Sequence, residues 1–300
     1  MEPLRPLPTT LLRPIRLVER LGIDLTVATE TFQHTGSFKF RAGYNLAASI
    51  PHPHIVTASS GNFGQAIACA CRLFGKRCTV VMPDNSAAVK VDAVRSWGAT
   101  VDLIDTTRVS RAARVTELAA EYPDAYVASA FDDPHVITGN ATLGTELAAL
   151  DVDVIVAPVG GGGLTSGLLT GLRKAGSQTE VIGAEPLLAN DAARSFRAGQ
   201  LVKDVSEAQT LADGARTLGL GDRNWAILRE GLARIVEVPE ERIVEALRLA
   251  FSLANLKVEP TGALGLAAVL TDPDRFRGKR ICCVVSGGNV DPALYAKLIA

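Results

Sequence analysis

The sequence predicts an α/β protein, with parallel-rich twisted sheets carrying helices on both faces. Three observations predict it. Short runs rich in β-branched residues recur at 23–30, 55–58, 78–82, 100–104, 154–157, 179–184, 234–238 and 281–285. Longer segments with apolar residues at helical spacing lie between them, at 38–49, 63–74, 87–97, 108–121, 136–150, 164–174, 242–253 and 263–270. Repeated alternation of this kind means parallel strands joined by right-handed crossovers. Several strand runs also end in Gly- and Ser-rich turns, where open parallel sheets bind their ligands.

Taken in order, the first strand run leads through Thr35-Gly36-Ser37 into a helix opening near Lys39, and the second ends in Ser59-Ser60-Gly61-Asn62. The next two pass directly into helical patterns. The run 154–157 is followed by four glycines, 179–184 by Glu185-Pro186, and 281–285 by Ser286-Gly287-Gly288-Asn289. No internal repeat, charge block or long linker interrupts the series.

At 300 residues the chain has the length of roughly two domains. With 47% hydrophobic and 21% charged residues it is globular, since a disordered chain has too little apolar surface to offset its ordering entropy. Lys and Arg number 31 against 32 Asp and Glu, so no basic surplus favours nucleic acid. No apolar stretch reaches the ~20 residues of a membrane helix. The opening Met1-Glu2-Pro3-Leu4-Arg5-Pro6 lacks an apolar signal core, and a cytoplasmic location is expected. Five cysteines, none in a C-x-x-C pair, argue against a disulfide framework. Cys282 and Cys283 should face opposite sides of their strand as buried apolar residues.

The strongest local signal is Gly160-Gly161-Gly162-Gly163-Leu164, between a predicted strand and a predicted helix. Four consecutive glycines cost conformational entropy that a plain turn does not require. They let several backbone N–H groups converge at the positive end of a helix, which makes a phosphate cradle. Neither the dinucleotide fingerprint nor the P-loop pattern fits the segment. Lys39 lies between Phe38 and Phe40 near a helix start. Aromatic surroundings and the dipole favour its neutral, nucleophilic amine; taken alone, the residue reads first as a solvated lysine. Ser59-Ser60-Gly61-Asn62 and Ser286-Gly287-Gly288-Asn289 are either helix caps or ligand loops.

Together and in this order, T-G-S-F-K, S-S-G-N, G-G-G-G and S-G-G-N-V resemble the fold-type-II pyridoxal-phosphate (PLP) enzymes, and within them the serine/threonine dehydratase and serine racemase branch. The resemblance runs from about Leu12 to the C-terminus. It implies a two-lobed, tryptophan-synthase-β-like architecture. A large PLP-binding domain would comprise 1–53 and 132–300, a small mobile one 54–131, and the assembly would be a homodimer. Lys39 would carry the cofactor as a Schiff base, and Asn62 would face its 3-hydroxyl. Gly160, Gly161, Gly162 and Gly163 would hold its phosphate, and Ser286 would meet the pyridine nitrogen. Phe38 and Leu164 would be further cofactor contacts. A serine hydroxyl leaves the ring a weaker electron sink than a carboxylate would, which favours prompt loss of a β-leaving group.

The resemblance therefore implies dehydration and deamination of serine, threonine or a related β-hydroxy amino acid to a 2-oxo acid and ammonia. The alternatives are a serine-type racemase, with Lys39 and Ser60 as bases on two faces, and a β-replacement synthase of the cysteine-synthase type. Substrate contacts would come from Ser59, Ser60, Asn62, Phe63, Arg108 and Thr217. Glu185 and Asp191 with the Ala189 carbonyl match the branch's divalent-cation site for Mg²⁺, Mn²⁺ or Ca²⁺; by themselves they also read as a capped helix start.

The chain departs from the family in four places. Phe63 stands where histidine is usual, Arg41-Ala42-Gly43 replaces R-G-A, Ser129-Ala130 replaces H-P, and Gly139-Asn140-Ala141-Thr142 replaces G-Q-G-T. All are expected near the substrate, so a substrate bulkier than serine is plausible. No regulatory domain follows, so end-product control is not expected.

Overall fold

The computed structural model describes residues 4–300; the first three residues of the stretch read for a signal core lie outside it. Its strands are β1 (Thr10–Leu12), β2 (Asp24–Thr29), β3 (His54–Ala58), β4 (Arg77–Pro83), β5 (Thr100–Ile104), β6 (Ala125–Ala128), β7 (Val154–Pro158), β8 (Glu180–Pro186), β9 (Arg234–Val238) and β10 (Arg280–Val285). Its helices are α1 (Ile15–Leu21), α2 (Lys39–Ser49), α3 (Asn62–Leu73), α4 (Ala88–Ser96), α5 (Arg111–Glu121), α6 (Pro134–Leu147), α7 (Gly163–Lys174), α8 (Asp191–Ala198), α9 (Asp222–Gly231), α10 (Glu240–Ala254), α11 (Leu264–Thr271), α12 (Pro273–Phe276) and α13 (Pro292–Ile299).

Each of the eight strand runs and eight helical patterns corresponds to an element. The strands β1 and β6 were not expected. Both are short and lie at sheet edges, and A-Y-V-A at β6 lacks the β-branched enrichment that marks a strand. The helix expected from 108 begins instead at Arg111, because the Ser110 hydroxyl accepts from the Ala113 N–H and ends the preceding turn there.

The strands form two sheets. One has the order β1-β2-β10-β7-β8-β9 and is parallel except for β1; the other has the order β5-β4-β3-β6 and is wholly parallel. From β7 the chain steps outward to β8 and β9, then returns to place β10 on the other side of β7. From β3 it steps to β4 and β5, then places β6 on the other side of β3. These are topological switch points, where helices diverge to opposite faces and leave a crevice at the strand carboxyl ends. The turns after β3, β6, β7 and β10 are the Ser59 loop, the Ser129 loop, the glycine turn and the Ser286 loop.

Helices cover both faces of the larger sheet. Cys283 packs into one apolar cluster with Val27, Val156 and Ala267, and Cys282 into the opposite one with Ile155 and Leu168. All five thiols are free and buried, and burial raises the Cys282 thiol to about 12. The helices α6 and α7 cross at backbone distance: a Cβ at Gly171 would fall 2.1 Å from the Ala141 carbonyl oxygen. This crossing seats the glycine turn at the head of α7.

Candidate active site

Lys39 is the first residue of α2, and no side chain caps that helix. The Phe38 N–H donates to the Ser286 carbonyl at 2.9 Å, which ties the lysine turn to the end of β10. The Lys39 Nζ donates to the Ala130 carbonyl at 2.6 Å and lies 5.1 Å from the Phe38 ring centre and 5.5 Å from that of Phe63. Burial lowers its pKa to about 8, against the opposing attraction of Glu259. Beneath it, Arg41 is buried and bonds both oxygens of Glu30 and both of Glu146. This ion network fixes the first turn of α2.

The glycine turn is held from behind. Asn224 Nδ2 donates to the Gly161 carbonyl at 2.7 Å, and the Gly221 N–H donates to the same oxygen at 3.2 Å. In a trans peptide the next N–H points the opposite way, so the Gly162 N–H faces away from α9. No backbone N–H of Gly160, Gly161 or Gly162 donates to a protein acceptor among the described residues. Gly162 has φ +92°, which disfavours a side chain, and a Cβ at Gly161 would lie 2.4 Å from the Phe131 ring. Leu164 anchors the turn in the core.

Across the crevice, the Ser59 hydroxyl accepts from the N–H groups of Gly61 and Gly64 at 3.4 and 3.1 Å. It therefore acts as a cap, and among the described residues the Ser60 hydroxyl has no hydrogen-bond partner. Phe63 is 1% exposed and packs into the core of the four-stranded sheet as well as against Lys39. Asn62 Nδ2 donates to Glu259 Oε1 at 2.8 Å, and Asn62 Oδ1 accepts from Asn289 Nδ2 at 2.8 Å. Sequence reading missed Glu259, Phe131 and Asn224. Glu259 had a signal: a lone carboxyl among the apolar residues Leu256, Val258, Ala263 and Leu264. Phe131 and Asn224 carried none, because each acts through a contact with a distant turn.

Two of the departures lie behind the crevice, contrary to expectation. Arg41 belongs to the buried ion network, and Asn140, fully buried, donates from Nδ2 to the Gly163 carbonyl at 3.0 Å. They support the site and do not line it. The Thr217 hydroxyl is buried with no hydrogen-bond partner among the described residues. Arg108 is not brought to the crevice residues: its side chain is 83% exposed and pairs with Asp105 at 3.1 Å.

Glu185 and Asp191 do converge. The N–H groups of Ala192 and Ala193 donate to the Glu185 carboxylate at 3.0 and 2.9 Å, and both Asp191 oxygens are buried with no hydrogen-bond partner among the described residues. Burial raises Asp191 to about 7; burial and then Asp191 raise Glu185 well above the carboxylate range. Among the described residues no group of three or more His, Cys, Asp or Glu side chains is placed to hold a metal.

An amine-bearing helix start and a backbone anion cradle, both following strands of the six-stranded sheet, define the class of an enzyme that binds a phosphorylated carbonyl cofactor. The model of the pyridoxal-phosphate dependent enzyme family matches residues 4–287, and the chain belongs to that family. It is 37% identical to an L-threo-3-hydroxyaspartate ammonia-lyase of Pseudomonas sp over 93% of this chain and 88% of that protein. It is 33% identical to a serine racemase of Schizosaccharomyces pombe over 90% of this chain and 85% of the racemase. The crystal structure of a T.th. threonine deaminase superposes with a TM-score of 0.90 at 38% identity, covering 95% of this chain and 94% of the deaminase.

The residues present fit PLP. The unengaged N–H groups at the head of α7 suit a phosphate, and the Lys39 amine, eased toward its neutral form by burial, suits an aldehyde.

Proposed function

We propose that this chain catalyses PLP-dependent α,β-elimination of a β-hydroxy amino acid, releasing a 2-oxo acid and ammonia. The observation that carries this reading is the neutral hydroxyl residue Ser286 at the end of β10, backbone-bonded to the lysine turn. Bound PLP supplies an electron sink conjugated to the substrate α-carbon. Lys39 would hold the cofactor, the glycine turn and Leu164 its phosphate, and Ser286 its ring nitrogen. The Thr217 hydroxyl and the N–H of Phe63 would hold the substrate carboxylate. Once the substrate amine has displaced it from the cofactor, the Lys39 Nζ, favoured as a free amine by burial, would take the α-proton. Lys39 would return that proton to the departing β-hydroxyl, which leaves as water, and its amine would then displace the product as an enamine, which tautomerises to an imine that water hydrolyses to the 2-oxo acid and ammonia. Phe63 and Phe131 exclude bulk water from the crevice. The names of the relatives direct the substrate search to 3-hydroxyaspartate, threonine and serine.

The small lobe 54–131 would close on the rest of the chain. Lys90 of α4 pairs with Asp213 at 2.8 Å across the two sheets, which supports a closing contact. The orphaned Asp191 oxygens support a structural Mg²⁺, Mn²⁺ or Ca²⁺ on Glu185, Asp191 and the Ala189 carbonyl. Exposed Ile15 and Phe32 support a homodimer face, and a cytoplasmic location completes the reading.

The test is a coupled-dehydrogenase assay for 2-oxo acid with each of the three substrates. Product from at least one supports the lyase, and none from any refutes it. A racemase activity is the second reading, favoured by the unpaired Ser60 hydroxyl. Loss of α-deuterium with appearance of the D-enantiomer, abolished in Ser60→Ala while elimination persists, would establish it.

A further inference from the structure

Both ends of the Asn62 carboxamide are held by residues from the other sheet. Glu259 Oε1 accepts one N–H, and Asn289 Nδ2, which also donates to the Thr35 carbonyl at 2.7 Å, occupies the Oδ1 end. Glu259 is 4% exposed and its N–H donates to the Gly287 carbonyl at 3.1 Å. Its carboxyl fills a slot that exists because residue 287 is glycine: a Cβ there would lie 2.7 Å from Oε1 and 2.8 Å from the Ser37 Cβ. The charged groups facing it are Lys39 from α2, Lys90 from α4 and Asp213 from the turn Asp213–Ala215; the Asn289 N–H also donates to it. One N–H of Asn62 remains unengaged, and its carbonyl is occupied.

We infer that Glu259, with Asn289, is a positioning residue that sets which end of the Asn62 carboxamide meets the cofactor's 3-oxygen, presenting an N–H donor and withholding the carbonyl. This rests on the reading that Asn62 faces that oxygen. A donor there favours the ionised 3-oxygen, whereas a carbonyl would disfavour it. Burial pushes the Glu259 carboxyl up to about 8, so at neutral pH it bears a proton on one oxygen and still accepts on the other. The contact therefore adds no full negative charge next to the cofactor.

The experiment measures the PLP dissociation constant of the apoprotein and the pH midpoint of the bound cofactor's visible absorption. Asn62→Ala should weaken PLP binding by about tenfold, the worth of one lost hydrogen bond in a buried site, and shift the midpoint. Glu259→Leu should move both in the same direction, Glu259→Gln should restore both, and the Glu259→Leu/Asn62→Ala double variant should be no worse than Asn62→Ala. A wild-type midpoint in Glu259→Leu, or additive effects in the double variant, overturns the inference. If Glu259→Leu does not fold, Asn289→Ala replaces it; a midpoint shift supports the inference and an unchanged midpoint overturns it. Wild-type behaviour of Asn62→Ala overturns the placement of Asn62 itself, and is distinct from failure at Glu259 alone.

Discussion

The Lys39 Nζ donates to the Ala130 carbonyl at 2.6 Å, joining the first residue of α2 to the loop after β6. The lysine turn is tied to the six-stranded sheet, and Ala130 follows an edge strand of the four-stranded one. The amine is thus held at the crevice by a neutral acceptor. Burial disfavours its charge and outweighs the attraction of Glu259.

That burial has a pH signature in the apoprotein. The Lys39 pKa is lowered from 10.5 to about 8, so between these values the unfolded chain binds a proton that the folded chain lacks. Folded stability lost to the buried charge is lost in full below about 8 and recovered as pH rises to 10.5. Lys39→Met should therefore melt above the wild type at neutral pH, and the gap should close across that window. A constant gap would contradict the burial of the ammonium.

The glycine turn should be sensitive in a way that an ordinary turn is not. Gly162→Ala places a side chain at φ +92° and 2.8 Å from the Asn224 Cβ. Gly199→Ala, at φ +68° with open space around it, carries only the backbone strain. Each should lose about 1–3 kcal/mol of stability in chemical denaturation. Only Gly162→Ala should weaken PLP binding; equal binding by the two variants would separate the turn from the phosphate.

The Asp191 oxygens make a prediction about cations. Mg²⁺ should raise the melting temperature of chelator-treated protein by several degrees, through binding that favours the folded state. Asp191→Asn should abolish the increment. The same increment in both proteins, or none in either, would leave Glu185 and Asp191 as a helix cap.

Arg41 is the buried partner of two carboxylates, one of them, Glu30, fully buried. Arg41→Met should destabilise the protein by about 3–5 kcal/mol, the usual effect of stranding a buried charge. Removing the stranded acid as well, in Arg41→Met/Glu30→Leu, should recover part of the loss. Equilibrium denaturation of the single and double variants checks both statements.

Much of the fold and part of the site were legible in the chain. Short β-branched runs place the eight main strands, most of them buried on both faces of a parallel sheet, and period-3.6 apolar patterns place the crossover helices, which bury one face. The four glycines and the lysine opening α2 were legible as well, since both run against local preference and so mark positions where something other than folding is served. The edge strands β1 and β6 were not, being too short to show a period. Nor were the roles of Arg41 and Asn140, expected near substrate and found supporting the site from behind, or the exposure of Arg108.

What the sequence by itself determined is the order of elements and the residue types at each strand end, because local periodicity and turn chemistry depend on neighbours in the chain. Only the tertiary structure decided which strand ends share a crevice, and so joined Glu259 to Asn62, Asn224 to the glycine turn and Ala130 to Lys39. Those contacts connect residues far apart in sequence, and their partners are chosen by how two sheets meet, a matter of packing that no local pattern encodes.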